Sequence, residues 1–219
     1  MIANSKRAIG ILGGSFDPVH LGHIHLAREI KYKLGLNNVL FIPCYRSAHS
    51  KLSHTTPKHR LSMLNLALEG IVDFQVNDLE IKRQNISYTV ETLQSLREEF
   101  PDDIFCLILG MDAFNKFTTW HKWEEILTLS HLIVADRKDY VLTKNTDIIK
   151  LVQNHEISEK MSLFKSIAGK ILFLDIKPLD IQSTTIRSLI SQGKQFKQFL
   201  PNSVWEYIIQ NNLYDFKNN

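Results

Sequence analysis

Two histidines three residues apart, His20 and His23, follow adjacent glycines, Gly13 and Gly14, and the short run Ser15, Phe16, Asp17 and Pro18. Residues at i and i+3 share one face of a helix, so both imidazoles can meet one ligand from a first helical turn. Ahead of them Ile9 to Leu12 is apolar, which reads as a buried strand leading through a tight glycine turn into that helix. Adjacent glycines let the backbone come close to a ligand and permit positive φ. The free amides at a helix start favour an anion. The pattern fits a phosphate site and also fits a plain strand-to-helix turn. It matches neither the G-x-G-x-x-G fingerprint nor the Walker A sequence, so an anion site here is built from glycines and imidazoles.

A second group stands near the other end of the chain. Ser183, Thr184 and Thr185 open a late helical stretch, and Arg187 shares a face with Ser183 and Thr184. Such hydroxyls can cap the free amides of the helix. They can equally face phosphate oxygens while the guanidinium adds a charged fork. Two phosphate-competent groups, one toward each end, suit a triphosphate better than a monophosphate. Between them, residues 44–56 form a basic loop with Arg46, His49, Lys51 and His54. Gly110 and Asp112 follow the apolar run Ile104 to Leu109, and Trp120 stands a few residues on. Asp112 can hold a ligand hydroxyl or cap the next helix, and Trp120 can stack on a ring or pack in the core. The sequence shows no serine elbow, no cysteine with an activating partner by spacing, and no evident carboxylate pair. Positive groups without a nucleophile point to phosphoryl or nucleotidyl transfer driven by positioning and charge stabilisation.

These groups are positioned by alternating apolar elements. A helix over residues 22–34 carries Ile24, Ala27, Ile30 and Leu34 inward and ends at Gly35, and Val39 to Ile42 is the next strand. Pro57 opens a helix expected to bury Leu61, Leu64 and Leu68; Phe74 to Val76 is a strand, and residues 78–87 are expected to loop out. A helix over 88–100 and strands at 104–109, 132–135 and 171–174 follow. Residues 140–166 carry a weak stripe at Ile148, Ile149 and Val152; Ile186, Leu189 and Ile190 mark the late helix, and Val204 to Leu213 the last one. The alternation predicts an α/β fold: a Rossmann-like parallel sheet with helices on both faces and a small C-terminal helical part. One domain over residues 1–219 is expected, with about 180–219 as a C-terminal helical subregion.

The chain has 219 residues, 44% of them hydrophobic, enough for a sizeable core. Its 26 basic and 23 acidic residues leave a formal charge of +3, which permits an anionic ligand without specifying a nucleic-acid groove. Cys44 and Cys106 are the only cysteines; their spacing fits no metal or redox motif, and both are expected to be buried and reduced. No run approaches eighteen apolar residues, and the start MIANSKR lacks the apolar stretch of a signal peptide. A cytoplasmic protein without membrane or nucleic-acid partners is expected.

Taken together, GGSFDPVHLGH at 13–23, SYT at 87–89, GMD at 110–112 with TTW at 118–120, and IQSTTIR at 181–187 resemble the bacterial nicotinate-mononucleotide adenylyltransferases of the HxGH nucleotidyltransferase superfamily. The resemblance implies condensation of ATP with nicotinate mononucleotide to nicotinate adenine dinucleotide and pyrophosphate, a step of NAD biosynthesis. It implies that His20 and His23 contact the ATP phosphates, and that Gly13, Gly14, Ser15 and Phe16 lie along the nucleotide. Gly110 and Asp112 would line the adenosine, and Ser183, Thr184 and Arg187 would form the late phosphate and adenine turn. Tyr88, Thr89 and Trp120 match positions around the nicotinate ring. Mg²⁺ is implied as the escort of ATP, with no dedicated protein metal cluster. Two departures stand out. Where the family has Pro-Pro-His and a basic residue, the chain reads Ser47-Ala48-His49-Ser50-Lys51, so His49 and Lys51 would meet the mononucleotide from a reshaped loop. Gln182 stands where the late motif has serine. A sister transferase acting on nicotinamide mononucleotide or phosphopantetheine is the nearest alternative, and a non-catalytic nucleotide or RNA-binding module the alternative of another class. A homodimer is plausible from the frequency of twofold oligomers.

Overall fold

A computed structural model of the chain describes residues 6–48, 53–136, 143–177 and 179–216. Its strands are β1 (Ala8–Gly14), β2 (Asn38–Pro43), β3 (Arg46–Ser47), β4 (Phe74–Val76), β5 (Ile86–Ser87), β6 (Ile104–Gly110), β7 (His131–Asp136) and β8 (Ile171–Asp175). The helices are α1 (Leu21–Leu34), α2 (Pro57–Leu68), α3 (Leu79–Arg83), α4 (Thr89–Glu99), α5 (Met111–Phe114), α6 (Trp123–Leu129), α7 (Thr146–His155), α8 (Ser183–Ser191) and α9 (Asn202–Gln210). Six strands form one sheet in the order β4-β2-β1-β6-β7-β8, and β3 pairs with β5 apart from it. The sheet is parallel, carries helices on both faces and is followed by a C-terminal helical segment, the expected Rossmann-like class. Its order reverses at β1, and open α/β sheets bind ligands beyond the carboxyl ends of strands at such a reversal. The carboxyl end of β1 is Gly13 and Gly14.

The chain divides into two compact units. The first comprises Met1–Leu12, Ala27–Leu40 and Tyr88–Lys177. Its strands read as near-continuous apolar runs because a parallel sheet is covered on both faces. Ile9, Ile11, Phe105, Leu107, Ile133 and Val134 are all buried. Registers run Ile11↔Leu107 between β1 and β6 and Ile108↔Ile133 between β6 and β7. The second unit comprises Gly13–Leu26, Phe41–Ser87 and Pro178–Asn219; it buries Phe16, Phe41, Met63, Leu64, Ile186, Ile190, Val204 and Ile208. Both cysteines are free and buried, as expected.

Four local expectations are corrected. The glycine pair is not a positive-φ turn: Gly13 and Gly14 complete β1, and Phe16 takes the left-handed backbone instead, with φ 49. Residues 78–87 hold the helical turn α3 and the strand β5, which pairs in parallel with β3. On α2 the buried set is Arg60, Met63, Leu64, Ala67 and Leu68, so a cationic residue takes the place expected for Leu61. On α7 the buried stripe is Ile148 and Leu151, while Ile149 is exposed.

Candidate active site

In the second unit, β1 ends in an open strand terminus. A Cβ placed on Gly13 meets nothing within 4 Å, whereas one on Gly14 meets the Phe16 ring at 3.3 Å. Gly13 therefore leaves backbone reachable by a ligand, and Gly14 admits the aromatic wedge beneath. Phe16, expected along the nucleotide, is only 1% exposed and packs against His23 and Phe41. What that position can offer a ligand is backbone. Behind the loop, fully buried Arg60 donates from Nη1 to the Ser15 carbonyl at 2.7 Å and from Nη2 to the Tyr45 carbonyl at 3.0 Å.

His20 and His23 are brought together as expected, with ring centroids 3.7 Å apart and planes inclined by 30°. The His20 amide donates to His23 Nδ1 at 3.2 Å, which makes Nδ1 the acceptor and leaves the proton of a neutral His23 on Nε2. His20 is 5% exposed and its Nδ1 is buried without a hydrogen-bond partner. Burial pushes the His20 pKa down to about 4. Burial and then the neighbouring His20 hold His23 well below the ordinary histidine value. Burial thus holds both imidazoles toward the uncharged form, and an arriving phosphate would favour protonating them.

Gly22, between the two histidines, has a steric reason to be glycine: a Cβ there falls 2.9 Å from His20 Nδ1. His131 in the first unit makes the contrast. It is fully buried, but Nδ1 accepts from the Lys170 amide and the Nε2 side meets the Ser166 carbonyl. Its hydrogen-bonding capacity is spent inside the fold.

The late motif joins the early one within the same unit. Ser183 Oγ donates to the Pro18 carbonyl at 3.0 Å, and Arg187 Nη1 donates to the Asp17 carbonyl at 2.7 Å. The two phosphate-competent groups, far apart in sequence, therefore form one cluster. The helix cap of α8 is Gln182 and makes no side-chain cap bond, so Ser183 and Thr184 are not capping hydroxyls. Arg187 Nη2 also reaches Thr184 Oγ1 at 3.3 Å; these two bonds use two of the five guanidinium N–H donors. A cavity of about 310 Å³ opens beside them, lined among others by His54, Thr184, Arg187, Ser188 and Tyr214.

The first unit carries the remaining described site residues. Tyr88 stands at the N-cap of α4 and Thr89 begins the helix. The Tyr88 ring lies 4.5 Å from the ring of His121, a neighbour that sequence reasoning did not single out for the site. Gly110 is the N-cap of α5 and a Cβ there meets nothing within 4 Å. Asp112 sits exposed in the first turn of α5, so it is not the cap. Trp120 is half-buried beside Phe117, centroids 5.6 Å apart. His49 and Lys51 lie outside the described residues. Just before them β3 is held against β5, and the Tyr45 amide donates to Ser87 Oγ at 3.0 Å.

Asp17, Gly22, Arg60 and Tyr214 were missed as site-building residues. Asp17 and Gly22 lie inside the early motif, where the only available signal was their position beside the histidines. Among the described residues no group of three or more His, Cys, Asp or Glu is placed to hold a metal ion. No described helix is long and apolar enough to cross a membrane.

Residues 11–189 match the cytidylyltransferase-like family model. A protein of Methylococcus capsulatus named as a probable nicotinate-nucleotide adenylyltransferase is 37% identical over 94% of this chain and 99% of its own length. One of the same name from Shewanella pealeana is 38% identical over 94% of this chain and 95% of its own. In fold, the chain is similar to the nicotinic acid mononucleotide adenylyltransferase of Plasmodium falciparum solved with NaAD. The TM-score is 0.74 at 22% identity, with 96% of this chain and 98% of that one covered. Near-full-length identity on this scale, with the paired histidines and the late serine and arginine gathered in one cluster, makes this chain a member of the nicotinate-nucleotide adenylyltransferase family.

Proposed function

We propose that the chain joins ATP to nicotinate mononucleotide by one direct in-line transfer, and that the residues above divide the work as follows. A phosphate oxygen of the mononucleotide attacks the α-phosphorus of ATP. The new O–P bond forms as the bond from that phosphorus to the bridging oxygen breaks, and pyrophosphate leaves with the electron pair. No protein nucleophile and no redox step is needed, so catalysis lies in alignment and in stabilising charge on the transferring phosphoryl group. The observation that carries the reading is the pair of adjacent imidazoles, ring centroids 3.7 Å apart, in the cluster to which Ser183 and Arg187 are bonded through the Pro18 and Asp17 carbonyls.

In this reading His20 and His23 donate to the phosphate oxygens and take on positive character as charge develops. Arg187 is the fixed cation of the cluster, and Ser183 and Thr184 supply nearby hydroxyls. The backbone of Gly13, Gly14, Ser15 and Phe16 lies along the nucleotide, and Gly110 and Asp112 receive the adenosine, the carboxylate bonding to ribose. Tyr88, Thr89 and Trp120, with His49 and Lys51, receive the mononucleotide. Mg²⁺ enters as part of the Mg·ATP substrate. One catalytic domain over residues 1–219 with a helical subregion from about 180, a cytoplasmic location and a homodimer complete the proposal; sedimentation at micromolar concentration tests the last.

The test is pyrophosphate release from Mg·ATP with nicotinate mononucleotide, nicotinamide mononucleotide and phosphopantetheine in parallel. A clear preference for the first is expected. Preference for another acceptor moves the chain to a sister activity, and saturable nucleotide binding without pyrophosphate removes the catalytic reading.

A further inference from the structure

We propose that Tyr214, 197 residues away from Asp17 in sequence, is a positioning residue for the adenylyl transfer, holding Asp17 and through it Arg187 and the segment that leads into His20. The inference rests on the catalytic reading above, in which Arg187 and the histidines meet the ATP phosphates.

Asp17 is 2% exposed, and its carboxylate is surrounded by donors. Oδ1 accepts from Thr55 Oγ1 at 2.7 Å and from the Tyr214 hydroxyl at 2.8 Å, and Oδ2 accepts from the His54 amide at 2.6 Å. Its own carbonyl accepts from Arg187, and the next carbonyl, that of Pro18, accepts from Ser183. Residues 17 and 18 thus sit between two sets of bonds. One set comes from the C-terminal turn and the loop before α2, the other from the start of α8. Two residues further on is His20. A buried carboxylate with three short donors is fixed in place because losing any donor leaves charge uncompensated away from water.

Tyr214 is built to stay a donor. It is 9% exposed, and burial together with the Asp17 carboxylate raises the phenol far above its ordinary value. Around it Asn212, Tyr214 and Asp215 all take left-handed backbone, with φ of 49, 60 and 57. Such conformations are disfavoured for residues with a Cβ and persist where surrounding contacts over-determine them, often at functional sites. The Arg187 side and the Tyr214 side of Asp17 also line the same cavity. A purely structural role for the terminal turn would be served by its apolar contacts; the hydroxyl on Asp17 adds an orientation for the group that carries Arg187.

The experiment is a double-mutant cycle on the full chain. Tyr214→Phe keeps the buried ring and removes the donor; Thr55→Val removes the other donor to the same oxygen without touching the C-terminal turn. Each is measured alone and with Arg187→Lys, for kcat, for KM of each substrate and for the Kd of Mg·ATP. Loss of one hydrogen bond to a charged group predicts kcat/KM for ATP lower by roughly tenfold, with KM for the mononucleotide unchanged. In the Arg187→Lys background the same change should cost little more, since the group it orients is already altered. Losses that multiply, or wild-type kinetics in folded Tyr214→Phe, overturn the proposal. Should Tyr214→Phe fail to fold, Thr55→Val decides it. If the wild-type protein releases no pyrophosphate, the catalytic reading fails, while an unchanged or weakened Mg·ATP Kd in the variants still refutes or supports the role of Tyr214.

Discussion

Replacing Gly22 by alanine should separate catalysis from folding. The added Cβ would sit 2.9 Å from His20 Nδ1 and 3.0 Å from Cε1, where ordinary contact begins at 3.4 Å. The imidazole must therefore give way by roughly 0.5 Å, a van der Waals requirement that no side-chain rotation of alanine can relieve. The ring has little room to retreat, being 5% exposed with the His23 ring 3.7 Å away. A misplacement of about 1 Å at a reacting centre can cost about 100-fold in rate. A shift of half that size is expected to lower kcat at least about tenfold. Folding should respond differently, because alanine is favoured over glycine inside a helix by about 1 kcal/mol, which offsets part of the clash. Gly22 is the second residue of α1.

The assay is steady-state pyrophosphate release with thermal unfolding on the same preparation. Gly10→Ala is the control: its Cβ meets Leu36 and Val39 at 3.1 Å and Ile108 at 3.2 Å, all apolar side chains of the first unit. That variant should lose melting temperature and keep kcat within about twofold, because overpacking acts on stability. A folded Gly22→Ala protein with wild-type kcat would refute the reasoning, since it would show that the position of His20 does not limit the transfer.

His20→Ala and His23→Ala should each lower turnover by about 100-fold or more, the scale of losing one donor at a developing charge; near-normal turnover in both purified variants would remove their assigned role. Both histidines are held below the ordinary histidine pKa when folded, so the unfolded chain binds more protons as pH falls below about 6.5. Stability present above that pH should be lost progressively down to about 4, with His20 accounting for about 3 kcal/mol. Urea unfolding at pH 7.5 and 4.5 measures this, and a His20→Gln variant that keeps the full pH dependence would contradict it. Pyrophosphate binding at pH 6 should take up protons, visible as a calorimetric heat that depends on the buffer's ionisation enthalpy; a buffer-independent heat would show that the pair stays neutral. Trp120→Ala should weaken nicotinate mononucleotide binding more than Mg·ATP binding in separate titrations, and the reverse order would place that ring on the nucleotide side.

The early motif was legible because its geometry is local. His20 stands immediately before α1 and His23 lies in its first turn, and the amide that fixes the His23 tautomer belongs to His20 itself. The apolar strands were legible for the same reason: a buried parallel strand announces itself within five or six residues. The glycine pair misled because Gly-Gly signals a turn only where no partner strand claims it. Here Gly14 stays in β1 and its carbonyl accepts from the Cys44 amide at 3.0 Å.

What was not legible depends on partners distant in sequence. A helical stripe naturally assigns the core of α2 to Leu61, and nothing near Arg60 suggests otherwise. Its burial makes sense only once the carbonyls of Ser15 and Tyr45 are in place to receive its guanidinium, since an unpaired buried cation would be prohibitive. β3 and β5 are two residues each, too short to show an alternation. Asp17 reads as a turn residue beside proline until Tyr214 arrives from the far end of the chain. These long-range partners share one physical feature: each satisfies a polar group that the early loop would otherwise bury unmatched. Among the described residues, His20 Nδ1 and Arg60 Nε are the buried side-chain polar atoms left without a hydrogen-bond partner. Burial lowers the His20 pKa, so a phosphate placed beside that imidazole would favour its protonated form.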